Sequence, residues 1–344
     1  MWGSITYGSR GRSSRRLFPP PGGRARERVN DVQYRTLGRT GLEVSTIGLG
    51  GLFVGTQGRD AGIQMVRRAL ELGVNLFDTA PSYFAESQSV LGEALDGVKE
   101  KHYVSTKIGP GENAWAAKYD HDSIMAQFED DLKALRRDYV DILHIHDPDR
   151  YGDPGCPGNY HAVFGKGMAL ETLQKLKEQK LIGAIGIASL WTDYQAYCID
   201  SNCFDVTLTF NRFGLIWRDA QFQTFPFCRK RNVGVMQGTP FHQGVLVSPN
   251  PDWVENPPEW MTAQEHDRYR KLLEIQSDSG MSLIELAIRF ILSNDTVTTT
   301  IPGAANAEQL EANVAYAEKG RLPDDIQTEI ESLGILHHDP RRYI

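Results

Sequence analysis

Nowhere in its 344 residues does the chain carry an apolar run long enough to cross a membrane, which takes about 18 residues or more. Cysteine is scarce. The four present, Cys156, Cys198, Cys203 and Cys228, form no C-x-x-C pair, so neither a zinc site nor a disulfide framework is signalled and a reducing, cytoplasmic setting is expected. Positive charge is in deficit, with 37 Lys and Arg against 44 Asp and Glu and a formal charge of −7. That balance argues against nucleic acid or an anionic membrane surface as a partner. No G-x-G-x-x-G stands between a strand and a helix, so a Rossmann dinucleotide site is not indicated. What remains is a water-soluble protein acting on small molecules, as a monomer or weak homo-oligomer. Its length permits one large α/β domain or two smaller ones.

Acidic residues are nearly missing from the start of the chain, where "SRGRSSRRLFPPPGGRARER" combines many arginines with a Pro-Gly run. Such a composition cannot bury enough apolar surface to order itself. Residues 1–32 are therefore expected to form a disordered basic tail, an organelle transit peptide being the alternative, and residues 33–344 the folded domain.

From residue 33 short β-branched runs alternate with longer amphipathic ones. "VQYRTLGRTGLEVSTIGLGG" reads as a hairpin turning at Gly38 and Gly41, leading into a first apolar strand near Ser45–Leu49. In "RDAGIQMVRRALELG" the spacing of Ile63, Val66 and Leu70 predicts a helix ended by Gly73, and Asp122–Ser123 is a plausible cap for "HDSIMAQFEDDLKALRRD". Further strands are predicted at "VNLFDTA", "HYVSTKIG", "YVDILHIHD", "IGAIGIAS", "FDVTLTFN", "VGVMQG" and "TVTTTIPG", each followed by a helical stretch. Pro226 interrupts the sixth helix. Eight strand–helix units in this length point to a closed parallel (β/α)8 TIM barrel with an N-terminal β-hairpin. Gly/Pro-rich segments at 109–120, 148–168 and 238–260 follow strands, where such barrels build their pockets.

At the C-terminal ends of neighbouring strands stand Asp78, then Tyr83 one loop on, Lys107 in "VSTKIG" and His146 in "ILHIHD". A lysine at the end of an apolar strand is costly to bury without a partner, and Asp78 at the same rim supplies one. An ammonium beside a phenol is expected to lower its pKa from about 10. Tyr83 could then exchange a proton with a carbonyl or alcohol oxygen that His146 orients. A structural Lys–Asp pair is the plain alternative. "HIH" at 144–146 is also how metal-dependent hydrolase barrels begin a site, but later strands offer no matching ligands.

"LGRTGLEVSTIGLGG", "FDTAPSY", "STKIG", "DYVDILHIHDPD" and "TIPGAANAEQLEAN", in this order, resemble the aldo-keto reductases over about residues 33–335. The resemblance implies a catalytic tetrad at Asp78, Tyr83, Lys107 and His146, with His146 chosen over His144 by register. It implies an NAD(P)-dependent oxidoreductase and a cofactor held by Ser189, Thr207, Gly238, Thr239, Pro240, Gly244, Pro302, Gly303, Ala304, Gln309 and Asn313. Departures refine this. Ala305 stands where an arginine often grips the 2′-phosphate, which favours NAD over NADP; Gly238 replaces a stacking aromatic; Phe84 follows the tyrosine where glycine is usual. "FNRFGLI" with the small residue at 238 is similar to the branch that oxidises aldoses at C1 to lactones (L-galactose, L-fucose and D-arabinose dehydrogenases), with pyridoxal dehydrogenases nearby. The alternatives are a general NADPH-dependent aldehyde or ketone reductase and a non-catalytic, cofactor-binding regulatory subunit of the same fold. Trp115, Tyr160, His161, Trp191 and Trp217 are candidate pocket-lining residues, and ordinary packing is the competing account of each.

Overall fold

The computed structural model describes residues 32–84, 86–109, 118–149 and 160–337. Residues 1–31 of the basic tail, Trp115 and Cys156 thus lie outside the described residues, while Val32, the last residue assigned to that tail, is buried in the core. Ten strands occur among them: β1 (Tyr34–Thr36), β2 (Glu43–Ser45), β3 (Leu49–Gly50), β4 (Leu76–Asp78), β5 (Tyr103–Ile108), β6 (Val140–His146), β7 (Ile182–Ser189), β8 (Val206–Phe210), β9 (Gly234–Gly238) and β10 (Thr299–Ile301). The helices are α1 (Arg59–Glu71), α2 (Ser87–Leu95), α3 (His121–Leu135), α4 (Tyr160–Phe164), α5 (Ala169–Glu178), α6 (Thr192–Asp200), α7 (Asp219–Gln223), α8 (Phe225–Arg231), α9 (Asp252–Glu255), α10 (Ala263–Ser279), α11 (Leu283–Leu292), α12 (Ala307–Glu318) and α13 (Asp324–Ser332).

Strands β3 to β10 pair in sequence order, all parallel. The last returns to the first through the bridges Ile47↔Thr300 and Gly50↔Gly303. The expected (β/α)8 barrel is therefore present and closed. Alternate strand residues face opposite sides, so Leu76, Ile142, Ala184, Val206, Leu208, Met236 and Ile301 fill the barrel interior. Their neighbours along the strands pack against the helices. Glycine is required where the first and last strands meet, since a Cβ on Gly50 would lie 2.7 Å from the Ile301 carbonyl oxygen.

The β1–β2 hairpin covers the N-terminal end of the barrel, leaving the opposite end as the mouth. Leu37 packs on Gly234, where a Cβ would lie 2.6 Å from the leucine side chain. The Arg35 guanidinium donates to the carbonyls of Val297 (2.7 Å) and Leu292 (3.0 Å). Among the described residues no helix is long and apolar enough to cross a membrane.

Several local expectations shift. Ser45 belongs to the hairpin, and the first barrel strand is Leu49–Gly50. The buried face of α1 runs through Gly62, Met65, Val66 and Ala69, with Ile63 and Leu70 at its margin, while Gly73 at φ 84° does end the helix. The cap of α3 is Asp120, whose carboxylate accepts from the Ser123 amide. Pro226 divides the sixth crossover into α7 and α8, because it cannot donate a helical hydrogen bond and is tolerated only in a first turn.

Candidate active site

Asp78 is the last residue of β4 and Lys107 the penultimate residue of β5, so both reach the barrel mouth, each 1 % exposed. A buried ion pair is stable only when every donor and lone pair is used well, and here they are. The Lys107 ammonium donates to Asp78 Oδ2 (2.6 Å), to the Thr79 carbonyl (2.8 Å) and to the Tyr83 hydroxyl (3.0 Å). Ser105, two residues earlier on β5, donates its hydroxyl to Asp78 Oδ1 at 2.9 Å. All three ammonium donors are thus committed, one of them to the phenol oxygen.

Tyr83 sits in a turn whose amide returns to the Ala80 carbonyl. Its ring lies 4.7 Å from the ammonium, and its own contact to Asp78 Oδ2 is long, 3.4 Å. The phenol is half-buried and faces two opposing influences. Burial outweighs the pull of Lys107 and pushes its pKa up to about 12, so the lowering expected from the lysine alone is not what the resting site shows. Burial by itself would lower the Lys107 pKa, but Asp78 first and Tyr83 second outweigh it and the net direction is upward. At rest an ammonium thus faces a protonated phenol.

Strand β6 carries two imidazoles on the inward face. His144 is the register partner of Lys107 and is sealed in the interior. Its ring occupies the space above Gly186, where a Cβ would lie 2.1 Å from Nδ1. Burial, then Lys107 and His146, hold its pKa well below the usual value. His146 stands two residues nearer the mouth and is half-buried. Among the described residues no group of three or more His, Cys, Asp or Glu is placed to hold a metal.

A profile described as the Aldo/keto reductase family matches residues 46–335. The chain belongs to the aldo/keto reductase family. L-galactose dehydrogenase of Arabidopsis thaliana is 28 % identical over 320 residues, covering 89 % of this chain and 92 % of that protein. Pyridoxal 4-dehydrogenase of Microbacterium luteolum is 24 % identical (88 % and 98 % covered), and D-threo-aldose 1-dehydrogenase of a Pseudomonas species 24 % (80 % and 90 %). Among solved structures, an aldo-keto reductase from Bacillus halodurans in its holo form superposes with a TM-score of 0.75 at 25 % identity, over 90 % of this chain and 99 % of that one. Aldo/keto reductases are NAD(P)-dependent oxidoreductases, and so is this one.

The mouth of this aldo/keto reductase has features that fit a dinucleotide. A Cβ on Gly238 would meet only Leu208 Cδ2 at 3.3 Å and the Thr209 carbonyl at 3.7 Å, so the end of β9 is open. Asn211 Oδ1, one residue past β8, is buried without a hydrogen-bond partner among the described residues. Beyond β9 the backbone adopts positive φ at Thr239 (55°) and Gly244 (96°) around the buried Pro240. Beyond β10, Pro302 and Ala304 are buried beside Gly303, which lies under the exposed ring of Phe53. Asn306 caps α12, and Gln309 Oε1 accepts from the Ala305 amide at 2.9 Å, with Asn313 buried one turn on.

Two expectations need correction. Thr207 lies between Val206 and Leu208, whose side chains fill the interior, so it faces the helices and its hydroxyl donates to the Ile187 carbonyl at 3.3 Å. It cannot reach the mouth; Leu208 occupies the inward position beside Gly238. Trp217 lines no pocket, being buried with its indole donating to Glu265 Oε1 at 3.1 Å. Ser189 is buried, its hydroxyl donating to Asp149 Oδ2 at 2.8 Å. Asp149 and Arg212, both buried at the mouth, are residues that the sequence reading did not single out. The only hint was polar side chains just past apolar strands, in "HIHDPD" and "TFNRFG".

Proposed function

We propose that the chain oxidises a sugar-like hemiacetal or alcohol with NAD, most plainly an aldose at C1 to its lactone, using Tyr83 as acid/base, Lys107 and Asp78 to fix that tyrosine, and His146 to orient the reacting oxygen. The observation that carries this reading is the Lys107 ammonium bonded at once to Asp78, Thr79 and Tyr83 at three adjacent strand exits. Ser189, Gly238, Thr239, Pro240, Gly244, Pro302, Gly303, Ala304, Gln309 and Asn313 would hold the cofactor. A bound nicotinamide supplies the hydride acceptor for oxidation or the donor for reduction.

In oxidation Tyr83 acts from its phenolate form, having first lost to solvent the proton it holds at rest; the phenolate takes the substrate's hydroxyl proton, and the phenol so formed keeps its bond from Lys107. In reduction the same phenol gives its proton to the carbonyl oxygen. His146, half-buried at the mouth, donates to that oxygen and fixes its direction. NAD is favoured because residues 302–313 contain no Lys or Arg to grip a 2′-phosphate. The aldose reading is supported by the relatives named as L-galactose and D-threo-aldose dehydrogenases.

The test is a panel of NAD and NADP reduction with L-galactose, L-fucose, D-arabinose, pyridoxal and simple alcohols, run on wild type and Tyr83→Phe. We expect turnover with NAD and an aldose, and a loss of about 10²-fold or more in the variant with cofactor binding retained. Wild-type turnover in Tyr83→Phe overturns the assignment of the acid/base; activity confined to NADPH and simple aldehydes overturns the aldose reading.

A further inference from the structure

We propose that a cavity at the N-terminal end of the barrel, opposite the mouth, binds a phosphate group between the guanidiniums of Arg35 and Arg321.

The cavity holds about 240 Å³ and lies where the β1–β2 hairpin meets the turn that follows α12. Arg35 on β1 and Arg321 beyond α12 line it together with Thr46, Gln33, Leu292 and Ala317, and no Asp or Glu is among its lining residues. Two of the five N–H donors of Arg35 anchor it, through Nη1 to the Val297 carbonyl (2.7 Å) and through Nη2 to the Leu292 carbonyl (3.0 Å). The other three make no hydrogen bond among the described residues. Arg321 is placed from behind. The Arg289 guanidinium donates to the carbonyls of Gly320 (3.1 Å) and Arg321 (2.6 Å), which fixes the backbone from which the Arg321 side chain projects. Its carboxylate partner among the described residues is Asp295, 83 % exposed, and an exposed pair of this kind is worth little. Thr46, 2 % exposed, commits its amide to the Gln33 carbonyl (2.8 Å) and its carbonyl to the Thr300 amide (3.0 Å), so the hydroxyl is the group left to meet a ligand. Gln33 Nε2 stands over Gly320, 3.9 Å from where a Cβ would lie.

Two guanidiniums at one cavity with no carboxylate in its lining repel each other. Burial first and Arg321 second lower the Arg35 pKa, the direction that a like charge imposes. An anion between them relieves that repulsion. A phosphate group brings roughly two negative charges at neutral pH and enough oxygens to meet both guanidinium forks and the Thr46 hydroxyl together. Sites for drug-sized ligands run from about 300 to 1,000 Å³, so this cavity suits a small anion and not a dinucleotide. Its position gives occupancy a consequence. Thr46 is bonded to Thr300 of β10, Ile47 bridges the same residue, and Arg35 holds the Val297 carbonyl two residues before that strand. A bound phosphate thus pins the seam where the last strand meets the first, and it stabilises the fold by mass action.

The experiment follows Tm and isothermal titration with inorganic phosphate and with glycerol phosphate, against sodium chloride at equal ionic strength, for wild type, Arg321→Ala, Arg321→Lys and Arg35→Gln. Phosphate should raise the wild-type Tm where chloride does not. Losing one charge-assisted contact predicts a Kd weaker by about tenfold or more in Arg321→Ala and in Arg35→Gln. Arg321→Lys should fall between, because it keeps the charge and loses the fork. Arg321→Ala carries the test even if Arg35→Gln fails to fold, since Arg321 is the more exposed of the two. Tighter binding of glycerol phosphate than of phosphate assigns the site to an ester, and the reverse order to the free ion. A phosphate response no larger than that of chloride would overturn the site. So would equal responses in wild type and Arg321→Ala, which would put any bound phosphate elsewhere, the mouth included.

Discussion

Tyr83 is pulled in two directions, and the balance fixes when it can act as a base. Its oxygen accepts from Lys107 at 3.0 Å, yet burial keeps the phenol protonated, pushed up to about 12. Below that value the base form falls tenfold per pH unit, so oxidation should accelerate with rising pH while reduction, which needs the phenol, should not. Carbon-13 NMR of ring-labelled tyrosine in the cofactor-free enzyme, assigned by the signal missing from Tyr83→Phe, should show Tyr83 still protonated at about pH 10. A midpoint below about 9 would mean that the ammonium wins over burial. The sequence placed Asp78, Lys107 and His146 on their strands and Tyr83 one loop on, but could not weigh that contest, since neighbours along a strand are legible and desolvation is a property of the finished mouth. Thr207 shows the same boundary at finer grain. One step of register separates the inward face from the outward one, and the stretch "VTLTF" is apolar or β-branched on both faces.

Helices α2 and α3 flank the strand that carries Lys107, and their approach depends on one glycine. A Cβ on Gly92 would lie 2.3 Å from the Ala134 carbonyl oxygen and 2.7 Å from the Leu135 backbone. Backbone cannot rotate away as a side chain can. Gly92→Ala therefore gains about 1 kcal/mol of helix propensity and loses more by driving α2 off α3, for a net destabilisation on the order of 2 kcal/mol. Denaturant unfolding measures it, and a variant as stable as wild type would show that the helices can part at no cost. Element by element, legibility followed hydrophobic periodicity. Seven of the eight barrel strands were readable as apolar, largely β-branched runs, whereas the first, Leu49–Gly50, was expected too early, near Ser45–Leu49; α11, "LIELAIRFIL", was legible as an apolar helix. Helix α10, "AQEHDRYRKLLEIQSDS", escaped because it is largely polar: its buried residues include Glu265 and Arg268 as well as Tyr269, Leu272 and Ile275. The Thr262–Glu265 capping box that opens it was its one local signal.

The barrel as a whole buries charge behind the site as well as in it. Asp131 on α3 lies at the junction of α2, α3 and β5, 2 % exposed, reached by the Thr106 hydroxyl at 3.5 Å, which in turn accepts from Gln88 at 2.8 Å. Burial pushes its carboxyl up to about 7, with the hydrogen bonds from Gln88 and Thr106 opposing. An acid whose pKa is raised by folding binds its proton more tightly in the native state. Its relative contribution is therefore most favourable below the unfolded value of about 4 and declines as pH rises to about 7, levelling off above. Other groups add their own slopes, so the useful quantity is a difference. Asp131→Asn keeps the shape and removes the ionisation. The variant's unfolding free energy minus that of wild type should grow between about pH 4 and pH 7, by on the order of a few kcal/mol at most, and stay flat beyond. Parallel stability curves for the two proteins across that range would mean that the carboxyl stays ionised behind Lys107 throughout, and that the barrel tolerates a second buried anion next to the pair formed by Asp78 and Lys107.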